Sequence, residues 1–312
     1  MVKLIANMHG NEAVGRELML ALARYLLQNY ERDPRVRKIV SETDIHIMPS
    51  LNPDGFENAT KGICLGHQIG SGRHNGNSVD LNRAFPSWDN LAETKEQLMM
   101  KSEPEVAAVI DWVFTQPFVL SANFHDGAVI ANYPWDDSHG PERQKSISPD
   151  DATFVSLASL YATNHANMYQ GVGLCHEDNF PGGITNGAEW YIVKGGMQDF
   201  NYLFSNCMEL TIEVSCCKYP LESELQTHWG HNKESLLSYL EVVQGGVRGL
   251  VKDLNGQPVP NAVVEVNGIQ KNITTSYFGE YWRLLAPGKY WSVTLPLTLS
   301  ILLLLVQIIH NF

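Results

Sequence analysis

A histidine and a glutamate stand three residues apart near the start of the chain, where an apolar run gives way to a helical pattern. They are His9 and Glu12, in the stretch KLIANMHGNEAVGRELMLALARYLL. Imidazole and carboxylate groups both bind Zn²⁺, so the pair could hold a metal ion. The same residues also suit an ordinary helix start, with Asn11 as the N-cap and Glu12 near the positive end of the helix dipole.

A third possible metal ligand, His125, ends another apolar run, in the stretch VLSANFHDG. A catalytic zinc takes three protein ligands and leaves a fourth position open for water, and two histidines with one glutamate are a common set. Taken alone, His125 would be interpreted as a hydrogen-bonded loop histidine. Together, His9, Glu12 and His125 predict a complete site for one Zn²⁺ ion.

A hydrolytic zinc site also needs a base, and the stretch ELTIEVSCCKYP offers two candidates. Glu213 stands among leucine, isoleucine and valine, and Glu209 lies earlier on the same face, by the even spacing of a strand. Burial of a carboxylate is costly unless it is paired or functional, and it raises the pKa toward a value useful for proton transfer. The pattern alone does not choose between the two glutamates.

Strand-like and helix-like segments alternate over most of the chain and must position these groups. Apolar runs predict strands in KLIAN, DIHIMPSLN, FVLSANFH and CMELTIEVS, and helical spacing predicts helices in EAVGRELMLALARYLLQNY, EPEVAAVIDWVFTQ, DATFVSLASLYATNHANMY and NKESLLSYLEVVQ. This alternation predicts an α/β domain with a parallel or mixed sheet and functional groups at the strand ends. Composition changes at residues 244–246, after which short strands and Asn-Gly and Pro-Gly turns predict a small β module.

The two ends of the chain are unusual. Met1 is followed at once by the strand-like VKLIAN, without the charged leader and apolar core of a signal peptide. Residues 293–309 are almost wholly apolar and contain Pro296. This tail is compatible with a buried strand pair, a membrane anchor or a cleaved lipid-anchor signal.

Composition argues against some classes of function. A formal net charge of -12 argues against nucleic-acid binding, which needs a basic face, and is compatible with basic substrates. The five cysteines contain no CxxC pair, which argues against a thiolate zinc site. Sequons at Asn58 and Asn272 are compatible with the secretory pathway, where the cysteines could form two disulfides, of open connectivity, with one left over.

Five motifs follow one another in order: NMHGNEAVGREL, NPDGFE, DLNRAFP, NGAEWYIVKGGMQDFNY and LTIEVSCCKYP. With them the chain resembles the zinc metallocarboxypeptidase family, in the regulatory branch typified by carboxypeptidases D, E, M and N, from about Val2 to about Tyr290. The resemblance implies an α/β catalytic domain over residues 1–244, with a mixed eight-stranded-type sheet flanked by helices, whose N-terminal part is missing. The stretch GVRGLVKD implies a truncated transthyretin-like β-sandwich over residues 245–290, before a hydrophobic tail at 291–312.

The resemblance implies a zinc ion held by His9, Glu12 and His125. Asp80 matches the carboxylate that orients the first histidine, and Arg73 matches the arginine that polarises the scissile carbonyl and stabilises the oxyanion. Glu213 matches the general base, which decides against Glu209.

For the substrate, three residues match the groups that bind a peptide's terminal carboxylate or close over it: Asn82, Arg83 and Tyr191. Asp136 matches the carboxylate that pairs with a basic side chain, and Gln198 occupies the pocket-floor position. Two further acids are expected to face solvent. They are Asp137, beside the pocket residue, and Asp126, which stands where this branch more often has glycine.

The resemblance therefore implies zinc-dependent hydrolysis of the C-terminal peptide bond, with release of Lys or Arg from peptides and proteins. It places the chain in the secretory pathway, extracellular or membrane-anchored through 293–309, and predicts a monomer. Two alternatives stay open: a catalytically inactive peptide-binding or adhesion module on the same fold, and a zinc hydrolase acting on another amide. The complete set of ligands and base argues against the first, and the Asn-Arg pair with Tyr191 argues against the second.

Overall fold

The computed structural model describes residues 1–67, 70–138, 140–175, 179–295 and 302–308. Within these residues, six strands form the central sheet: β1 (Val2–Ala6), β2 (Ile45–Met48), β3 (Leu120–His125), β4 (Ala128–Tyr133), β5 (Ile184–Asn186) and β6 (Met208–Ser215). Their order is β2-β1-β3-β6-β4-β5. Neighbouring strands are parallel except β4 with β6, so the predicted mixed α/β sheet is confirmed.

Helices cover both faces of this sheet. They are α1 (Val14–Asn29), α2 (Pro34–Glu42), α3 (Pro53–Asn58), α4 (Lys95–Met100), α5 (Pro104–Thr115), α6 (Asp151–Asn164), α7 (Gly187–Trp190), α8 (Met197–Phe204) and α9 (Leu225–Val242). Leu18 of α1, Phe154 of α6 and Leu236 of α9 belong to one buried cluster. Val106 of α5 and Phe200 of α8 belong to another, on the opposite face. Because both faces are covered, β1 and β3 are buried along their whole length.

Helix α1 does not begin in the way that the alternative interpretation of this stretch supposes. Asn11 does not cap it, because the Asn11 side chain donates to the carbonyl of Gly66 at 2.9 Å. The backbone N–H of Val14, the first helical residue, instead donates to the Asp126 side chain at 3.0 Å. The cap therefore comes from the residue after β3, which no local pattern at the helix start could reveal.

The described part of the C-terminal region forms two small antiparallel sheets. Its strands are β7 (Val247–Leu250), β8 (Val263–Val266), β9 (Ile269–Thr274), β10 (Glu280–Arg283), β11 (Gly288–Leu295) and β12 (Leu302–Ile308). One sheet pairs β7 with β10, and the other has the order β12-β11-β8-β9. Strand β11 runs across residue 290, where the resemblance places the end of the β-sandwich.

The described part of the apolar tail pairs with this module. Strand β12 lies antiparallel to β11, which agrees with the strand-pair alternative for the tail. The rest of the tail beyond β11, including Pro296, lies outside the described residues. Among the residues that are described, no helix is both long enough and apolar enough to cross a membrane.

A buried ion pair joins the β module to the α/β domain. Arg283 Nη2 lies 2.7 Å from Asp150 Oδ1, and the hydroxyl of Tyr202 donates to Asp150 Oδ2 at 2.6 Å. Asp150 immediately precedes α6, and Tyr202 belongs to α8. The module therefore supports two helices of the α/β domain.

The five cysteines form two disulfides and leave one thiol. The bridges are Cys64–Cys217 and Cys175–Cys216, and Cys207 is free and buried. Both bridges end on the paired cysteines that follow β6, so they hold two long loops against one strand end. The predicted number is confirmed, and the pairing indicates an oxidising compartment.

Candidate active site

The carboxyl ends of β1 and β3 lie side by side, because the two strands are parallel neighbours. His9 and Glu12 follow β1, and His125 is the last residue of β3. One ligand atom from each of these residues lies within 4.8 Å of the other two, and all three residues are buried. The structure thus brings together the three residues that the sequence predicts as metal ligands.

These three side chains suit a metal ion. Two imidazoles and a carboxylate form one of the donor sets of catalytic zinc sites. His9 Nδ1 lies 3.0 Å from Glu12 Oε1, and His125 Nδ1 lies 2.8 Å from Glu12 Oε2. His125 Nδ1 also lies 3.1 Å from His9 Nδ1. Because donor atoms of types that bind zinc converge from all three side chains, the site is chemically suited to a zinc ion.

Both carboxylate oxygens of Glu12 are engaged. Lys218 Nζ donates to Oε1 at 2.5 Å, and the backbone N–H of Asp126 donates to Oε2 at 3.2 Å. Burial opposes the ionisation of Glu12, but the charges of His9 and Lys218 hold its pKa well below the usual range. Sequence reasoning missed Lys218. Its only signal is its position directly after the paired cysteines, one of which bridges to Cys64.

Asp80 and Arg73 surround His9. Asp80 Oδ1 lies 3.0 Å from His9 Nε2, the arrangement by which a carboxylate orients a ligand histidine. Arg73 Nη2 lies 2.9 Å from Asp80 Oδ2, and Arg73 Nη1 lies 3.3 Å from Glu12 Oε1. Burial opposes the ionisation of Asp80, but the His9 hydrogen bond and the charges of His9 and Arg73 hold its pKa well below the usual range. The guanidinium is thus fixed beside the ligand cluster.

The structure separates the two candidate bases. Glu213 stands directly opposite His125 in the pairing of β6 with β3, and its Oε2 is buried without a partner in the described part of the chain. Burial raises the pKa of Glu213 to about 7. Glu209 instead forms a buried ion pair with Lys3, at 2.9 Å. The geometry therefore favours Glu213 over Glu209.

Two acids expected to face solvent are buried instead, so both expectations are wrong. Asp126 is only 1% exposed, because its carboxylate accepts the N–H at the start of α1, and burial raises its pKa well above the usual range. Asp137 is also buried, and its backbone N–H donates to Asp199 Oδ2 at 2.9 Å. The Asp126 carboxylate is drawn inward because an N–H at the start of α1 needs an acceptor, and the backbone of Asp137 is held inward by the Asp199 carboxylate.

The residues predicted to bind a terminal carboxylate differ in exposure. Asn82 is buried, and its Oδ1 accepts the first N–H of α8 at 3.0 Å. Arg83 is exposed, and its Nη1 donates to the Asn82 carbonyl at 2.8 Å. Tyr191 is 41% exposed, yet the pKa of its hydroxyl is raised, first by burial and then by the charges of Glu213 and Asp136.

Asp136 and Gln198 lie inside the protein, as the pocket prediction requires. Asp136 is 3% exposed, its Oδ1 accepts from Asn132 Nδ2 at 2.8 Å, and burial raises its pKa to about 6. Gln198 Oε1 accepts the N–H of Thr211 at 2.7 Å. Gln198 Nε2 is buried without a partner among the residues described. The carboxylate of Asp136 and the amide of Gln198 are thus both buried polar groups.

A mixed α/β sheet with a His-Glu-His cluster at adjacent strand ends, and a buried glutamate opposite, is the arrangement expected of a zinc carboxypeptidase. Sequence comparison agrees with this class. The profile of the family described as zinc carboxypeptidase (Peptidase M14) matches residues 1–235, and the chain belongs to this family.

Similar proteins of known name indicate the branch of the family. Carboxypeptidase D of Drosophila melanogaster is 49% identical over 292 residues, which cover 93% of this chain and 21% of that protein. Carboxypeptidase M of Mus musculus is 46% identical over 302 residues, which cover 94% of this chain and 66% of that protein. The branch predicted from the motifs is confirmed, and the chain spans about a fifth of the length of carboxypeptidase D.

A solved structure shows the same fold. Thrombin activatable fibrinolysis inhibitor has a TM-score of 0.57 with this chain at 17% sequence identity. The match covers 77% of this chain and 61% of that chain. At this identity the likeness establishes the architecture alone.

Proposed function

We propose that this chain hydrolyses the C-terminal peptide bond of peptides and proteins and releases Lys or Arg. The observation that carries the proposal is the buried carboxylate of Asp136, which is 3% exposed and accepts a hydrogen bond from Asn132 Nδ2 at 2.8 Å. A buried acid favours a cationic partner, because an unpaired buried charge is costly. Lys and Arg side chains supply that cation, and the ligand cluster beside Glu213 supplies the means of hydrolysis.

The chain's own groups divide the chemical work. Zn²⁺ bound by His9, Glu12 and His125 would supply Lewis acidity and lower the pKa of water. The carboxylate of Glu213 would take a proton from the attacking water and deliver it to the leaving amine. A pKa of about 7 lets Glu213 both accept and release a proton near neutral pH. Arg73 would bind the scissile carbonyl oxygen and stabilise its developing negative charge.

Selectivity for a chain end would come from three groups. The guanidinium of Arg83 suits a free carboxylate, which a planar fork binds through two hydrogen bonds. Asn82 lies beside it, and the half-exposed Tyr191 would close over the terminal residue. An internal peptide bond would leave these groups unpaired, which is costly.

The same proposal places the protein in the secretory pathway. Its two disulfides are those of an oxidising compartment. Asn58 and Asn272 are exposed, as glycosylation at the two sequons would require. Membrane anchoring through 293–309 and a monomeric state stay predictions.

Two dansyl dipeptides that differ only in a final Arg or Leu test the proposal on the full chain. Release of Arg that a chelator abolishes and Zn²⁺ restores, with little release of Leu, is the expected result. Asp136→Ala should weaken the Arg-ended peptide selectively. Chelator-insensitive release would contradict the zinc assignment, and an equal loss on both peptides would contradict the pocket assignment. Binding of the Arg-ended peptide without turnover would identify the inactive binding module instead.

A further inference from the structure

We propose that Asp199 is a positioning residue for specificity: it holds the loop that carries Asp136, so that the Asp136 carboxylate faces a basic side chain. The inference rests on the proposed function and adds to it a residue that never touches the substrate. Neither periodicity nor motif spacing pointed to Asp199, which follows Gln198 in the stretch GGMQDF.

The carboxylate of Asp199 is engaged by two consecutive backbone N–H groups. The N–H of Asp136 donates to Oδ1 at 3.0 Å and to Oδ2 at 3.1 Å, and the N–H of Asp137 donates to Oδ2 at 2.9 Å. Asp199 is 4% exposed, so water does not compete for these bonds. Hydrogen bonds in such a buried, low-dielectric place are electrostatically stronger than in water. Asp199 thus fixes the backbone on which the pocket acid stands.

The start of α8 connects this loop to the predicted carboxylate-binding pair. Asp199 lies in the first turn of α8, and the first N–H of that helix donates to Asn82 Oδ1 at 3.0 Å. One short helical turn therefore ties the group proposed to bind the terminal carboxylate to the loop proposed to bind the terminal side chain. The distance between Asn82 and the Asp136 loop would then set which C-terminal residue of a peptide fits the site.

The space around Asp136 leaves little freedom. A Cβ on Gly187 would lie 1.9 Å from Asp136 Oδ1, and a Cβ on Gly196 would lie 3.3 Å from Oδ2. The Asp136 carbonyl also accepts the N–H of Val193 at 2.9 Å. With the backbone held at both N–H and C=O, the Asp136 carboxylate has one well-defined position. A side chain at either of these two glycines would therefore crowd the Asp136 carboxylate.

The electrostatics agree with a pocket built for a cation. Desolvation raises the pKa of Asp136 to about 6, and both desolvation and the charge of Asp136 raise the pKa of Asp199. Two buried carboxylates this close resist ionising together, and a bound cationic side chain removes that cost. A basic side chain bound beside Asp136 therefore favours the ionised form of Asp136.

Kinetics of the full chain with the two matched dipeptides test the inference. Asp199→Asn keeps the shape but offers one acceptor oxygen and turns an amide toward an N–H donor. We expect KM for the Arg-ended peptide to rise by about 10- to 100-fold, the loss of one strong hydrogen bond, with kcat nearly unchanged. Parameters for the Leu-ended peptide should change by less than about two-fold. Asp111→Asn, which removes an exposed charge on α5, is the matched control and should alter neither peptide.

The possible results distinguish failure of this inference from failure of the proposed function. An unchanged preference for Arg in Asp199→Asn, or an equal loss on both peptides with a lowered melting temperature, would overturn the inference and leave the proposed function standing. If the wild-type chain releases neither residue, the proposed function falls and the inference with it. Asp199→Ala should exceed the Asn variant in its effect. If the alanine variant does not fold, the isosteric Asn variant still decides the question.

Discussion

A buried histidine outside the active site gives a prediction about stability and pH. His165 caps the C-terminus of α6 and is 2% exposed. Its Nδ1 accepts the backbone N–H of Met168 at 3.1 Å and, at 3.4 Å, that of Asn167. Protonation of Nδ1 would break both bonds. Burial, followed by the charge of His231, lowers the pKa of His165 to about 4.

The size and sign of the pH dependence of the free energy of unfolding follow from the difference in the His165 pKa between the folded and unfolded states. In the unfolded chain the ordinary pKa is 6.5, so between about pH 4 and 6.5 the unfolded state binds a proton that the folded state does not. Acidification through this window therefore lowers the free energy of unfolding. The difference in pKa corresponds to at most about 3 kcal/mol below pH 4, and to about 2 kcal/mol at pH 5.

Urea unfolding of the wild type and of His165→Asn, each at pH 7.5 and 5.0, measures this contribution. Asn Oδ1 replaces Nδ1 as the acceptor but does not titrate. Other groups change protonation in both proteins alike, so their effects cancel in the difference. We expect the wild type to lose about 2 kcal/mol more than the variant between the two pH values. Parallel pH dependence of the two proteins would refute the reasoning, as would an NMR titration of His165 near pH 6.5.

Three further predictions concern the active site and its loops. Glu213→Gln should lower kcat by about 100-fold or more with zinc stoichiometry unchanged, because a general base contributes that much, and loss of the metal would count against its role. Gly187→Ala should raise KM for Arg-ended peptides more than for Leu-ended ones, because the new methyl group would meet Asp136, and equal effects would contradict this. Replacing Cys64 and Cys217 by serine should lower the free energy of unfolding by about 2–5 kcal/mol in denaturant titration, and an unchanged midpoint would contradict the role of the bridge.

Several features could be predicted because they depend on local pattern. The apolar runs that predict β1 and β3 end close to His9 and at His125, and parallel neighbours must bring such ends together. Helical spacing likewise predicts α1, whose Leu18 and Leu22 are buried. The ligand cluster is therefore predictable from where strands stop and which side chains follow them.

Other features escaped prediction because they are long-range. Asp126 is drawn inward by the start of α1, and Asp137 by the side chain of Asp199, and neither partner is near in sequence. Lys218 follows the end of β6 and is far from Glu12 in sequence, yet its Nζ donates to the Glu12 carboxylate. A polar residue in a loop has no periodicity that distinguishes a solvated position from a buried one.

The amino-acid sequence by itself determined the types of residue that can bind zinc and move protons, the strands and helices that carry them, and the number of disulfides that five cysteines permit. The tertiary structure decided which cysteines pair and which acid caps α1. It also decided that Glu209 forms an ion pair with Lys3, while Glu213 lies opposite His125. Spacing along the chain fixes only what a segment presents on each face. Strand register and loop closure, which depend on contacts between distant segments, fix which groups meet.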